Sequence, residues 1–180
     1  MIRAFVALTL PDPMIEALDA LQADLTIGSL VARENLHLTL AFLGEQPRPV
    51  LEDLHLALER IRLAPFELTL SGLGQFGGRE PRTIHAEADR TEPLKRLRGK
   101  VYRAAEEAGL TPDTRRFHPH VTLSRLKALD FEERAGLERW TARHAGFAAG
   151  PSEMSSFGLY QSTLTRNGPV YDLMAAYPLG

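Results

Sequence analysis

The chain has no cysteine in 180 residues. Disulfides, a catalytic thiolate, iron–sulfur ligation and any zinc site that needs sulfur are therefore excluded. No stretch approaches the ~20 apolar residues of a membrane-spanning helix. The opening Met1–Leu10 segment lacks the apolar run and small-residue cleavage site of a secretory leader, so a cytoplasmic protein without a membrane partner is expected. A Gly-x-Ser-x-Gly nucleophile elbow and a Gly-x-x-x-x-Gly-Lys-Ser/Thr phosphate loop are both missing, which removes the usual serine hydrolase and nucleotide-triphosphate cradles. A large charge of either sign is missing too: the net is −2. It is unevenly placed, because residues 79–127 hold 12 Lys/Arg against 7 Asp/Glu while the remainder holds 9 against 16. A local basic region in a mildly acidic chain suits one anionic group better than a long nucleic-acid backbone.

What is present is a 44% apolar chain with regular periodicities, enough to bury a core. Ile2, Ala4, Val6, Leu8 and Leu10 alternate as on a half-buried strand. Asp12-Pro13 then predicts a helix start, followed by Ile15, Leu18, Leu21 and Leu25 at helical spacing. Residues 36–43 read as a strand, Leu51 to Ile61 as a helix, and Phe66, Leu68 and Leu70 mark another strand. After the turn at Gly77-Gly78 the order repeats. A strand at 83–88 precedes a helix opened by Thr91 with Pro93 and closed by Gly109. A strand at 120–124 comes next, and Asp130 with Glu133 forms a capping box for the helix after it. Strands near 153–161 and 169–178 flank a turn at Arg166-Asn167-Gly168. The expected fold is α+β: one bilobal domain over 1–180, a pseudo-two-fold duplication with halves of about 1–81 and 82–180. Two antiparallel sheets face a central cleft and the helices lie outside.

Both halves carry the same tetrad. His37-Leu38-Thr39-Leu40 stands in the first and His120-Val121-Thr122-Leu123 in the second. On a strand, residues i and i+2 share a face. Each segment thus buries its aliphatic side and presents an imidazole beside a hydroxyl, with Ser124 on the face of His120 and Thr122. With 6 His and 12 Thr in the chain, two chance tetrads arise in roughly a quarter of one per cent of shuffled sequences, so accident is a poor explanation.

The segments Asn35–Glu45 and Arg116–Arg125, with Arg3–Leu8 at the start and Leu159–Ser162, Gly168 and Tyr171 near the end, resemble the two-histidine (2H) phosphoesterase superfamily over nearly the whole chain. Within it they resemble the RNA 2′,3′-cyclic phosphodiesterases, also called 2′-5′ RNA ligases. Two imidazoles suit such a reaction, because each titrates near 6.5 and can work in the opposite protonation state. A threonine hydroxyl can donate to a non-bridging oxygen where charge builds. The resemblance implies His37 as proton donor to the leaving 3′-oxygen and His120 as proton acceptor from water, with a 2′-phosphomonoester product. The near-equivalence of the two tetrads leaves that assignment open on the residues alone. It also implies no cofactor, no metal, and a partner that is RNA with a cyclic phosphate end, such as a tRNA fragment, or a cyclic nucleotide, handled by a monomer.

Thr39, Thr122 and Arg125 are the candidate phosphate-binding residues. Strict alternation places Arg125 on the opposite face from His120, so its role requires a bulge or the strand's end. Phe42 alternates with buried leucines, which favours core packing over stacking a base. Phe117 and Tyr160 are candidates for base stacking, and His118 shares the parity of His120 and is expected to line the cleft. His55, His85 and His144 are expected to be structural or exposed. Two rival readings are carried forward: a zinc hydrolase using His37, His118 and His120, and a module that holds RNA ends without turning them over.

Overall fold

The computed structural model describes residues 1–113, 115–166 and 168–180. The expected turn at Arg166-Asn167-Gly168 falls partly outside them, at Asn167. The strands are β1 (Ile2–Leu8), β2 (Ser29–Leu30), β3 (Leu38–Gln46), β4 (Phe66–Phe76), β5 (Thr83–Ala88), β6 (His120–Arg125), β7 (Ala148–Met154), β8 (Ser156–Thr165) and β9 (Gly168–Pro178). The helices are α1 (Asp12–Gln22), α2 (Arg48–Glu59), α3 (Glu92–Glu107) and α4 (Phe131–Arg143). Two start as their sequences dictate. The Thr91 side chain accepts from the Leu94 amide at the head of α3, and Asp130 and Glu133 close a reciprocal capping box on α4. At α1 the cap is Pro11 rather than Asp12, which sits inside the first turn where its charge suits the helix dipole.

The expected pair of sheets is a single one. Its strands run β7-β4-β5-β6-β3-β1-β8-β9, with β2 added alongside β6. Among the described residues, two four-stranded arms are joined in the ladder at the antiparallel pairing of Leu38 with Val121. Each arm is also mixed in sequence: β4 lies with β5, β6 and β7, while β8 and β9 lie with β1 and β3. Antiparallel pairing at that central seam gives both arms partners for backbone groups that separate sheet edges would leave bare. The result places β3 and β6, the two tetrad-bearing segments, side by side at the middle.

Leu38, Leu40, Val121 and Leu123 are all buried. They share one apolar core with Leu54 and Leu58 of α2 and Leu94, Leu97 and Val101 of α3. α3 packs on β3, β4 and α2, and α1 packs on β7. Burying such side chains stabilises each by about 1.5–3 kcal/mol, and that is what fixes which face of β3 and β6 is left for the cleft.

Within the two tetrad-bearing strands, β3 and β6, alternation fails at three places, each a β-bulge. In β3, Thr39 pairs with Ala7 but Ala41 with Val6, so Leu40 is an extra residue; a second shift falls between Phe42 and Gly44. In β6, Thr122 pairs with His85 and Ser124 with Ile84, so Leu123 is extra. A bulge flips the faces of the residues beyond it. Ser124 is accordingly not on the cleft face: it is fully buried and its Oγ donates to the Ile27 carbonyl at 2.8 Å. The Leu123 carbonyl at the bulge accepts from the Val31 amide at 2.8 Å and from the buried Gln22 side-chain amide at 2.8 Å. Gln22 also donates to the Val31 carbonyl at 2.9 Å. Gln22→Leu should therefore lower stability by about 1–3 kcal/mol through the loss of its hydrogen bonds to two buried carbonyls, measured as a fall in urea midpoint at constant slope.

Candidate active site

A cavity of about 430 Å³ opens at the seam between the arms, lined by His37 and Thr39 from one and His120, Thr122 and Arg125 from the other. The two imidazoles are held alike. Nδ1 of His37 lies 2.6 Å from the Asn35 carbonyl, and Nδ1 of His120 lies 2.6 Å from the His118 carbonyl. A carbonyl only accepts, so Nδ1 carries the proton that it donates, and Nε2 of each ring is left for chemistry. The same bond, from a ring to the carbonyl two residues earlier, thus sets both tautomers.

Their surroundings differ. His37 packs against Phe5, with ring centroids 4.8 Å apart, and meets Tyr171 edge-on at 5.2 Å. His120 lies among Phe76 at 4.8 Å and His85 at 4.9 Å. Desolvation among these rings holds His37 down at about 4 despite the Asn35 bond; the charges of Arg125 and His120 add to the depression. Desolvation also lowers His120, against its bond to the His118 carbonyl. Both rings are therefore neutral at pH 7 before an anion enters.

The β6 bulge delivers what alternation denied. Arg125 reaches the cavity and donates from Nη2 to the Tyr171 hydroxyl at 3.1 Å. Phe42 corrects the core reading: beyond the β3 bulge it is 65% exposed and lines the cavity, its ring 6.4 Å from Phe5. His118 does not line this cavity. Its half-exposed side chain, with Phe117, lines an adjoining groove, where Arg98 lies 4.6 Å over the Phe117 ring. Tyr160 stacks on Phe5 at 5.3 Å and faces a second cavity behind His37.

Sequence reasoning passes over Arg3, Phe5, Ser162 and Tyr171 as lining residues. Arg3 and Phe5 are legible as the other parity of β1. Ser162 and Tyr171 are brought in by the β8–β9 pairing, in which they face each other. Asn35 ties that hairpin down, its amide donating to the Pro169 carbonyl at 2.8 Å. His55 meets the Tyr177 hydroxyl at 2.9 Å, and His144 pairs with Asp24 at 3.0 Å, both remote from the cavity. His85 is buried as a structural histidine would be, yet it touches His120. The zinc reading is not met in its ligand set: among the described residues the ligand atoms that converge belong to His85, Glu87 and His118, without His37 or His120.

An α+β sheet that sets two His-x-Thr units around one cleft is the layout of a two-histidine phosphoesterase. Residues 10–148 match the family model of the 2′-5′ RNA ligase superfamily, and the chain belongs to that family. It is 36% identical over 143 residues to an RNA 2′,3′-cyclic phosphodiesterase of Aeropyrum pernix, spanning 78% of this chain and 80% of that protein. It is also similar to the crystal structure of E. coli LigT complexed with 3′-AMP, with a TM-score of 0.76 and 30% identity, covering 99% of this chain and 97% of the other. The crystal structure of TT0787 of Thermus thermophilus gives a TM-score of 0.77 at 31% identity over 98% and 97% of the two chains.

Proposed function

We propose that the chain hydrolyses RNA 2′,3′-cyclic phosphodiester ends to 2′-phosphomonoesters by acid–base catalysis between His37 and His120. The observation that carries this reading is the pair of identically held imidazoles, one from each arm, lining one cavity together with two threonines and an arginine. His120 Nε2 takes a proton from water as the water oxygen bonds to phosphorus. His37 Nε2 gives its proton to the 3′-oxygen as the P–O3′ bond breaks. Water is added across one bond, and the two rings exchange protonation states and reset through solvent. Thr39, Thr122 and Arg125 hold the non-bridging oxygens, where charge develops.

Neutral rings in the free protein fit this scheme, because the bound phosphate supplies the negative charge that lets His37 take up a proton at Nε2 from solvent as the substrate binds. The ligase direction uses the same groups in reverse, with a 5′-hydroxyl in place of water. Both rings come from one chain, so a monomer suffices, and Phe42 at the rim offers a face for a nucleobase.

The test is to incubate the protein, in chelator, with a short RNA ending in a 2′,3′-cyclic phosphate and to resolve the product isomers. A 2′-phosphate end is expected. Binding without turnover would replace this reading with that of an RNA-end module, and a 3′-phosphate would overturn the assignment of the leaving oxygen.

A further inference from the structure

Behind His120, away from the cavity, three metal-binding side chains converge without a role in the reaction. His85 and Glu87 are two residues apart on β5 and so share a face. His118 comes from the segment before β6. One ligand atom from each lies within 4.8 Å of the other two; Nε2 of His118 is 3.4 Å and Nε2 of His85 4.0 Å from the same Glu87 oxygen. His85 is 1% exposed, and among the described residues neither of its ring nitrogens has a hydrogen-bond partner. An unpartnered buried imidazole costs about 1–3 kcal/mol, and in native proteins such a group calls for an explanation, an ion being one.

The neighbours leave room for that ion. Gly74 on β4 lies directly opposite His85 in the ladder. A Cβ there would collide with His85 Nε2 and stand 2.7 Å from the Glu87 carboxylate, against two of the three ligand atoms. Phe76 roofs the group, its ring stacked on His85 at 4.3 Å and edge-on to His118 at 5.4 Å. An apolar cover of this kind keeps water from competing for the ligands. His118 and Glu87 are half-exposed and give a way in from the groove.

We propose that His85, Glu87 and His118 form a binding site for a divalent transition-metal ion of the zinc class. Two imidazoles and one carboxylate select such an ion over magnesium or calcium, which prefer all-oxygen sets. Bonds of about 2 Å draw the three ligand atoms inward by roughly an ångström. The ion fastens the His118 segment to β5, and the His118 carbonyl is what holds His120 in its tautomer. It lies outside the reaction cavity and contacts neither phosphate nor water there, so it is a clamp on one arm and not a Lewis acid.

Cobalt(II) and zinc(II) report on this without substrate. Metal-stripped wild-type protein titrated with cobalt should take up one equivalent per chain, show the strong visible absorption of a low-coordinate nitrogen–oxygen site, and give a raised melting temperature. Zinc should displace the cobalt. His118→Ala and Glu87→Gln, both at half-exposed positions, should each weaken binding at least about tenfold. Gly74→Ala should abolish it in a protein whose circular dichroism is native. His144→Ala, at the separate pair with Asp24, should leave it unchanged. Absence of cobalt absorption in the wild type, or its persistence in the His118→Ala/Glu87→Gln double variant, overturns the site. Turnover of the cyclic substrate in chelator is a separate readout, so either proposal can fail while the other stands.

Discussion

His37→Ala or His120→Ala should each cut kcat for a 2′,3′-cyclic-ended RNA by about three orders of magnitude, within the ~10²–10⁴ that a positioned acid or base contributes. The double variant should be little worse than either single one, since a concerted transfer fails when either end is missing. The pH profile separates the roles. Activity requires a proton on the acid and none on the base, so the wild type should give a bell in kcat/KM. Both free-protein rings are depressed, His37 to about 4 and His120 below its usual 6.5. Both limbs of that bell therefore lie on the acid side of 6.5, and kcat/KM should fall about tenfold per pH unit above it. The kcat bell lies higher, because bound phosphate raises the acid's pKa. Residual His37→Ala activity should lose the alkaline limb and residual His120→Ala activity the acid limb. The opposite loss would exchange the two roles, and a wild-type profile with one sigmoid would rule out the division of labour. Thr39→Val and Thr122→Val leave both limbs in place and should lower only the plateau.

Much of this site is written in local patterns. The two tetrads stand out because a period of two is short-range: Leu38, Leu40, Val121 and Leu123 must be buried, so the residues between them must face away. The caps of α3 and α4 are equally local, each needing one side chain and one turn of helix. The bulges are a different matter. Nothing within Val121–Arg125 tells Leu123 to be the extra residue; that is decided by Ile84 and His85 across the ladder and by Gln22 and Val31, which donate to its displaced carbonyl. The positions of Ser124, Arg125 and Phe42 are set by such long-range partners, which is why alternation misassigns Ser124 and Phe42 and holds Arg125 away. Strand β7 is hidden for the opposite reason. Gly150 and Pro151 oppose strand formation by propensity and are tolerated because β7 is the edge of the sheet. The joining of two expected sheets into one rests on the Leu38–Val121 pairing, a contact between segments eighty-three residues apart that no local signal encodes.

The histidines that make the site also make the fold sensitive to acid. His37, His85 and His120 are all buried enough for desolvation to lower them, His37 to about 4 and His85 to about 3. In the unfolded chain each takes up a proton near 6.5. Between 6.5 and the folded values the unfolded state thus binds more protons, and stability falls as pH falls, by up to about 1.4 kcal/mol per pH unit for each ring. Above 6.5 these groups contribute no slope. Asp24, held down to about 2 by His144, Trp140 and Arg143, adds a loss only below its unfolded value of 3.8. His37 and His85 together remove on the order of a few kcal/mol between pH 6 and 4, and His120 adds in the same direction, against the ~5–15 kcal/mol that holds a domain of this size. Urea midpoints should be level from pH 8 to 7 and then fall steadily as the pH is lowered further. His85→Leu is apolar at every pH and should flatten the slope between 6 and 4. A midpoint unchanged from pH 7 to 5 would mean that these imidazoles are solvated in the folded protein, and with that the depressed pair at the centre of the mechanism would be lost.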